Sequence, residues 1–381
     1  MESIPFLLLA GILLSAFFGI AYASQRVSFP SVLLIILFGV IAGTYMTDDT
    51  ILHLVAEVGI VLLFFVLGME FPISKVIEIG KKVWPAGLMD VTLNLVLAFI
   101  VARAFSLDII SSLVVGGIAY ASSSSITAKL LEEKKRLANQ ETEFILALLI
   151  FEDLVAPIVV SLLVGLSVGD QFSAGMIVTL LVKIILLIVG AVIIGFYGFR
   201  KMSKFISKYL EKDFMPLFSV GIALLYAGFA LYLGLSEILG AFLAGVMLSE
   251  SGKSRELEHV VFPIRDLTLP FFFFWFGTSI NLGEGVPYIG MLVTLIILSV
   301  IGKIIVGYYG GQLFGLTKKV ATRAGFSLIQ RGEFSIIIAS LGGAQLKVFG
   351  GVYVLITALI GTYFFSKAPS IAKSVSVKRI E

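Results

Sequence analysis

The sequence contains no cysteine. Disulfide staples, thiolate metal sites and a cysteine nucleophile are therefore excluded. Histidine is nearly as scarce: His53 and His259 leave little material for an imidazole-based metal or acid–base centre. Only 14% of residues are charged, against roughly 25% in ordinary soluble domains. The net charge of +3 is too small to imply nucleic acid or another polyanion as a partner. What fills the 381 residues is apolar, with 59% hydrophobic residues and a mean hydropathy of +1.07. Such a chain cannot wrap its core in polar surface. It reads as an all-α polytopic membrane protein whose partner is the lipid bilayer and whose few buried charges carry the function.

A membrane helix needs about 20 apolar residues. Thirteen segments qualify, at 4–23, 30–46, 52–70, 84–104, 109–130, 143–166, 175–199, 214–233, 236–250, 267–281, 286–314, 320–343 and 349–368. Lys and Arg test that count, because cytoplasmic loops concentrate them. With the N-terminus outside and the C-terminus cytoplasmic, 23 of the 28 basic residues fall on inner loops and the tail. Arg103 and Lys347 alone fall on outer loops, and Lys183, Lys303 and Arg331 lie inside spans. Ala21-Tyr22-Ala23 resembles a signal-peptide cleavage site, but the positive charge, Arg26, follows the apolar run instead of preceding it. The polar stretches are loop-sized, so one transmembrane domain and no soluble regulatory domain is expected.

Thirteen spans divide into two sets of six around a linker. The expected organisation is a first repeat over 1–167, a linker helix over 175–199, an inverted second repeat over 214–368 and a short cytoplasmic tail over 369–381. Ile41-Ala42-Gly43 parallels Leu243-Ala244-Gly245, and Phe65-Val66-Leu67-Gly68 parallels Phe274-Trp275-Phe276-Gly277. Gly39/Gly43 and Gly307/Gly311 read as packing glycines. Inverted repeats are a transporter architecture, with a site at mid-membrane on interrupted helices. Two spans look interrupted. The fifth carries Ser122, Ser123, Ser124, Ser125 and Thr127, whose hydroxyls compete with the helix for backbone partners. The twelfth carries Gln330-Arg331-Gly332-Glu333 at matching depth. Crossing two broken helices sets carbonyl ends against amide ends, and Arg331 or Glu333 can compensate those partial charges.

The sixth span holds Glu152 and Asp153 with apolar residues on both sides. Neighbouring helix positions point about 100° apart, so one acid can face a cavity while the other pairs elsewhere. Lys303 in the eleventh span is the candidate partner. A buried carboxylate binds a proton or a cation, and competition between the two at one site, with alternating access, gives antiport. Hard cations prefer oxygen ligands, which Asp153, the hydroxyls of residues 122–125 and 127, and freed carbonyls supply. Asp90 and Asn94, one turn apart, are expected to bond to each other or to the eleventh span. Glu57 and Glu70 read as interfacial, Glu237 as lining an entrance at the outer end of the ninth span, Lys183 as a snorkelling side chain, and His53 as an outer-surface residue.

These motifs resemble the second monovalent cation:proton antiporter family, which contains the Kef-type potassium/proton and NapA-type sodium/proton exchangers. The resemblance rests on Leu239-Gly240-Ala241-Phe242-Leu243-Ala244-Gly245 with Leu248-Ser249-Glu250-Ser251, on Leu269-Pro270-Phe271-Phe272-Phe273 with Phe276-Gly277, on Gln330-Arg331-Gly332-Glu333-Phe334, and on Phe151-Glu152-Asp153 with Ser122–Ser125. It implies the NhaA-like antiporter fold, a homodimer, a core domain moving against a dimerisation domain, and a prokaryotic cell membrane. On it, Asp153 matches the cation- and proton-binding aspartate, and Lys303 matches the lysine paired with the preceding acid. Glu152 departs from both groups, which have Asp (sodium type) or Gln (Kef type) there. An acid at that position leans toward sodium and toward net charge movement. The expected activity is secondary exchange of Na⁺ or K⁺ for H⁺, with no enzyme chemistry and no resident cofactor. A cation channel and a sodium-coupled symporter are the alternatives. An intramembrane aspartyl protease using Asp90 and Asp153 is remote, because no Gly-x-Gly-Asp pattern accompanies them.

Overall fold

A computed structural model describes residues 6–27, 30–43, 50–167, 174–201, 214–280, 283 and 285–377. Of the basic residues counted above, Lys204, Lys208, Lys212, Lys378 and Arg379 lie outside them. The described chain is helical, and its one β-like contact is an isolated bridge between Ser122 and Arg331. The helices are α1 (Phe6–Val27), α2 (Ser31–Ala42), α3 (Thr50–Met69), α4 (73–104), α5 (Ile109–Tyr120), α6 (Ser124–Glu133), α7 (Gln140–Ser167) and α8 (174–199), then α9 (Met215–Tyr232), α10 (Glu237–Ser249), α11 (Ser254–Thr278), α12 (289–313), α13 (Lys318–Gly325), α14 (Glu333–Ser340) and α15 (Ala344–Val377). Among the described residues, nine helices are long and apolar enough to cross a membrane by length and composition. The shorter apolar helices α2, α5 and α10 and the pair α13–α14 match the remaining segments, so each of the thirteen expected spans overlaps described helix, with residues 4, 5, 44–46 and 281 of those spans outside the described residues.

Helix ends differ from the apolar windows in three places. Helix α4 begins at Ile73 and α11 at Ser254, well before the expected 84 and 267. Both extensions are amphipathic, carrying Lys81 and Lys82 or Glu256 and Arg265, and a stripe of that kind escapes an apolar-window search. Helix α15 runs on to Val377 through Pro369, where a solvated tail was expected. Elsewhere the caps are local: the Asp108 carboxylate accepts from the Ser111 amide at 3.0 Å to start α5, and this contact holds its carboxyl below the usual range.

Small residues set the interhelical distances. A Cβ on Gly68 of α3 would lie 2.0 Å from the Phe242 carbonyl oxygen, and one on Gly245 of α10 would lie 2.1 Å from that of Phe65. The same reciprocity joins α2 and α11: a Cβ on Gly39 would meet the Phe274 carbonyl at 2.3 Å, and one on Gly277 the Ile36 carbonyl at 2.3 Å. Three of these four glycines, Gly68, Gly245 and Gly277, lie in the short segments set side by side in the sequence analysis. Gly43 meets Thr278, Gly307 meets Gly325, and Gly311 meets Ala321, as packing glycines do. Gly68→Ala is therefore expected to force α3 and α10 apart, at a cost of about 1–3 kcal/mol or more. Melting in detergent checks this, with Gly221→Ala as the matched control because nothing lies within 4 Å of its added Cβ.

Candidate functional site

Two broken helices meet at the centre. Helix α5 stops at Tyr120 and α6 restarts at Ser124, while α13 stops at Gly325 and α14 restarts at Glu333. The extended residues between them cross: Ser122 bridges Arg331, and the Ser123 amide donates to the Gln330 carbonyl at 2.9 Å. Each half-helix exposes unsatisfied carbonyls or amides at the break, and side chains meet them. Arg331, fully buried, donates from Nε to the Ala119 carbonyl at 2.9 Å and from Nη1 to the Ile329 carbonyl at 3.2 Å. Ser122 Oγ donates to the Leu328 carbonyl at 2.9 Å. On the amide side, Ser123 Oγ accepts from Ile126 N at 3.2 Å and donates to Glu333 at 3.0 Å, and Glu333 opens α14 where a carboxylate suits the helix N-terminus.

The adjacent acids on α7 diverge. Glu152 is buried and turned toward Lys303, whose Nζ donates to Oε1 at 3.0 Å, while Oε2 accepts from the Ser122 amide. The same lysine donates to Asp90, at 2.7 Å to Oδ1 and 2.9 Å to Oδ2. Asn94 donates to Asp90 at 2.9 Å and accepts from Arg331 Nη2 at 3.1 Å. Both contacts foreseen for Asp90 exist together. Asp153 faces the other way. It accepts from Ser124 Oγ at 2.8 and 2.9 Å, and among the described residues no Lys or Arg lies in salt-bridge range of it.

Asp153 lines a cavity of about 390 Å³ with Ser124, Glu333, Glu70, Arg265 and apolar side chains of α3 and α7. Its lining includes Glu70 and Phe71 just past the end of α3, and Arg265 of α11. A smaller cavity of about 190 Å³ at the opposite end is lined by His53, Glu57, Glu237, Trp275 and Ile337. Between the two, along both α3 and α14, stand Phe64 and Phe334, buried and edge-to-face with centroids 5.0 Å apart. Their position was not foreseen, because the contact joins residues far apart in sequence. Tyr120 was also missed. Its ring lies 5.9 Å from Lys303 Nζ and its buried hydroxyl has no hydrogen-bond partner among the described residues.

The serine run divides its labour. Ser124 is the hydroxyl placed on Asp153. Ser122 and Ser123 serve the helix breaks, and Thr127 is buried, donating to the Ser123 carbonyl at 2.7 Å and accepting from Gln330. The Ser125 side chain lies outside the described residues. Lys183 caps the end of α9 through the Leu233 carbonyl at 2.8 Å, and His53 Nδ1 lies 3.4 Å from Glu57 at the far end of the bundle. Asp90 and Asp153 form no dyad of the protease kind. No three His, Cys, Asp or Glu side chains converge as a metal site among the described residues. A cation here would be cargo, held by one carboxylate with hydroxyl, carbonyl or water oxygens.

The transmembrane sodium/hydrogen exchanger family profile matches residues 12–373. The chain belongs to the sodium/hydrogen exchanger family. It is a cation/proton antiporter, a secondary transporter and not an enzyme. Within the sodium/hydrogen exchanger family, it is 50% identical over 376 residues to the ammonium/H⁺ antiporter subunit AmhT of Alkalihalophilus pseudofirmus, covering 99% of this chain and 96% of that one. It is 35% identical over 334 residues to the K⁺/H⁺ antiporter subunit KhtU of Bacillus subtilis, covering 85% and 81%. The sodium proton antiporter MjNhaP1 of Methanocaldococcus jannaschii, solved at pH 8, superposes with a TM-score of 0.70 at 17% identity, over 96% of this chain and 97% of that one. That likeness shows the NhaA-like fold with its crossed, broken helices.

Proposed function

We propose that Asp153 is the exchange site, where a monovalent cation displaces a proton: Asp153–COOH and M⁺ give Asp153–COO⁻·M⁺ and H⁺. One observation carries this reading. Of the two adjacent acids, Asp153 is the one that opens to a cavity with a hydroxyl beside it and, among the described residues, no basic side chain in salt-bridge range. Its charge is then balanced by a proton or by a cation, and the two exclude each other. Ser124 supplies one further oxygen. Glu333, in the same cavity, adds negative potential that favours cations over anions.

The cargo is a monovalent cation of ammonium or potassium size, as the names of the two relatives indicate; the family description favours sodium as the second reading. The end bearing the basic loops is cytoplasmic, the N-terminus is outside and the membrane is that of a prokaryotic cell. Residues 1–167 and 214–368 form the inverted repeats around α8, and two copies assemble as a homodimer. The test is reconstitution in liposomes with an imposed pH gradient, followed by pulses of K⁺, NH₄⁺, Na⁺ and Li⁺ with protein-free liposomes as blank. Saturable proton release by K⁺ and NH₄⁺ at lower concentrations than Na⁺ is expected. Cation flux without proton release would reinstate the channel.

A further inference from the structure

Four buried charges stand behind Asp153 and take no part in the exchange reaction written above. Asp90, Glu152, Lys303 and Arg331 are fully buried. Two are acidic and two basic, so the group is neutral as it stands, with no bound proton needed. Lys303 sits between the two carboxylates, at 2.7 Å from Asp90 and 3.0 Å from Glu152. Each carboxylate also has a second donor, Asn94 for Asp90 and the Ser122 amide for Glu152. Asn94 closes the chain onto Arg331. A charge this deep is costly to leave alone, and here Lys303 retains a partner whichever carboxylate lets go.

The backbone is shaped for this arrangement. The π-helical stretch of α4, Val91–Val96, begins on the residue after Asp90, and that of α12, Val306–Gly310, begins just beyond Lys303. A π-turn inserts a residue and re-aims the side chains that follow, and such turns favour functional positions. The two helices also approach closely there, since a Cβ on Gly302 would lie 3.0 Å from Asn94 Oδ1.

We propose that Asp90 is a positioning residue that keeps Lys303 paired throughout the cycle, so that one proton moves per monovalent cation and exchange is electroneutral. The proposal rests on the reading of Asp153 as the exchange site. When Asp153 trades its proton for a cation, its own charge balance is kept and the neutral four are undisturbed. Replacing Asp90 by Asn leaves the buried group with one surplus positive charge. Lys303 then depends on Glu152 alone, so that its proton leaves when a cation occupies Asp153 and returns when the cation departs. A second proton thereby enters the cycle and net charge moves.

The experiment records currents from proteoliposomes on a solid-supported membrane after a jump in K⁺ or Na⁺, whichever drives proton release in the exchange assay, with proton release measured in parallel. Wild type is expected to exchange with no net current. Asp90→Asn is expected to exchange with a net current, and Asp90→Glu to remove it. A net current in the wild type overturns the proposal even if Asp90→Asn does not fold. So does current-free exchange by Asp90→Asn. A merely structural role would lower protein yield without altering the charge moved per proton released. Full exchange by Asp153→Asn would instead reject the site itself, so the two failures are distinct.

Discussion

Asp153→Asn is expected to abolish cation/proton exchange while leaving the protein folded. The amide keeps an oxygen to accept from Ser124, is nearly the same size, and leaves the buried charges around Lys303 untouched. What it loses is the carboxylate on which the proposed exchange of cation and proton takes place. At an effective dielectric near 20, opposite unit charges about 4 Å apart attract by about 4 kcal/mol, which is roughly a thousandfold in binding. The proton side of the cycle disappears as well, since an amide does not titrate in the working range. The measurement is proton release from reconstituted vesicles after a cation pulse, with melting in detergent as the control for folding. Exchange at the wild-type rate in a protein with the wild-type melting point would reject Asp153 as the site.

The second large effect is expected at Arg331, through stability. Arg331→Met removes donors from the Ala119 carbonyl, in the last turn of α5, from the Ile329 carbonyl in the break before α14, and from Asn94, which steadies Asp90. It also leaves Asp90 and Glu152 sharing one lysine with no second positive charge near. Removing one member of a buried charge network costs about 3–5 kcal/mol. The variant should melt well below the wild type and be cleaved faster by protease. Arg331→Lys should restore little, because a single ammonium cannot reach three acceptors spread around a planar fork. A wild-type melting curve for Arg331→Met would contradict this account of the crossing.

The broad plan was legible because the physics behind it is local. An apolar run of membrane length is a helix in lipid, and the Lys and Arg tally fixes the number of runs. The breaks were legible for the same reason: four serines in a row, or Gln-Arg-Gly-Glu, cannot sit in lipid as unbroken helix. Pairing was less legible. Lys303 was the candidate partner for the acidic pair from its depth, but which of Glu152 and Asp153 it meets came only with the family resemblance, and Asp90 had two candidate partners until the fold placed α4 against α12. The serine run was read as one ligand set, yet only Ser124 meets Asp153, because each side chain on either side of a break points to a different neighbour. The π-helical stretches leave no pattern that a hydrophobic period can register. The meeting of Phe64 and Phe334 depends on how α14 leans on α3, which no short window contains.

That ring pair has a consequence for leakage. Hydrogen ions cross a protein by hopping along oxygen and nitrogen atoms, and two phenyl edges offer neither. A column of water cannot thread the partition either, for nothing on its walls would hold the molecules in line. If Asp153 is the exchange site, as proposed, passage is expected to wait for the scaffold itself to shift and carry it past the barrier. A vesicle carrying the protein is then expected to stay tight between turnovers, its gradient spent only as cargo moves.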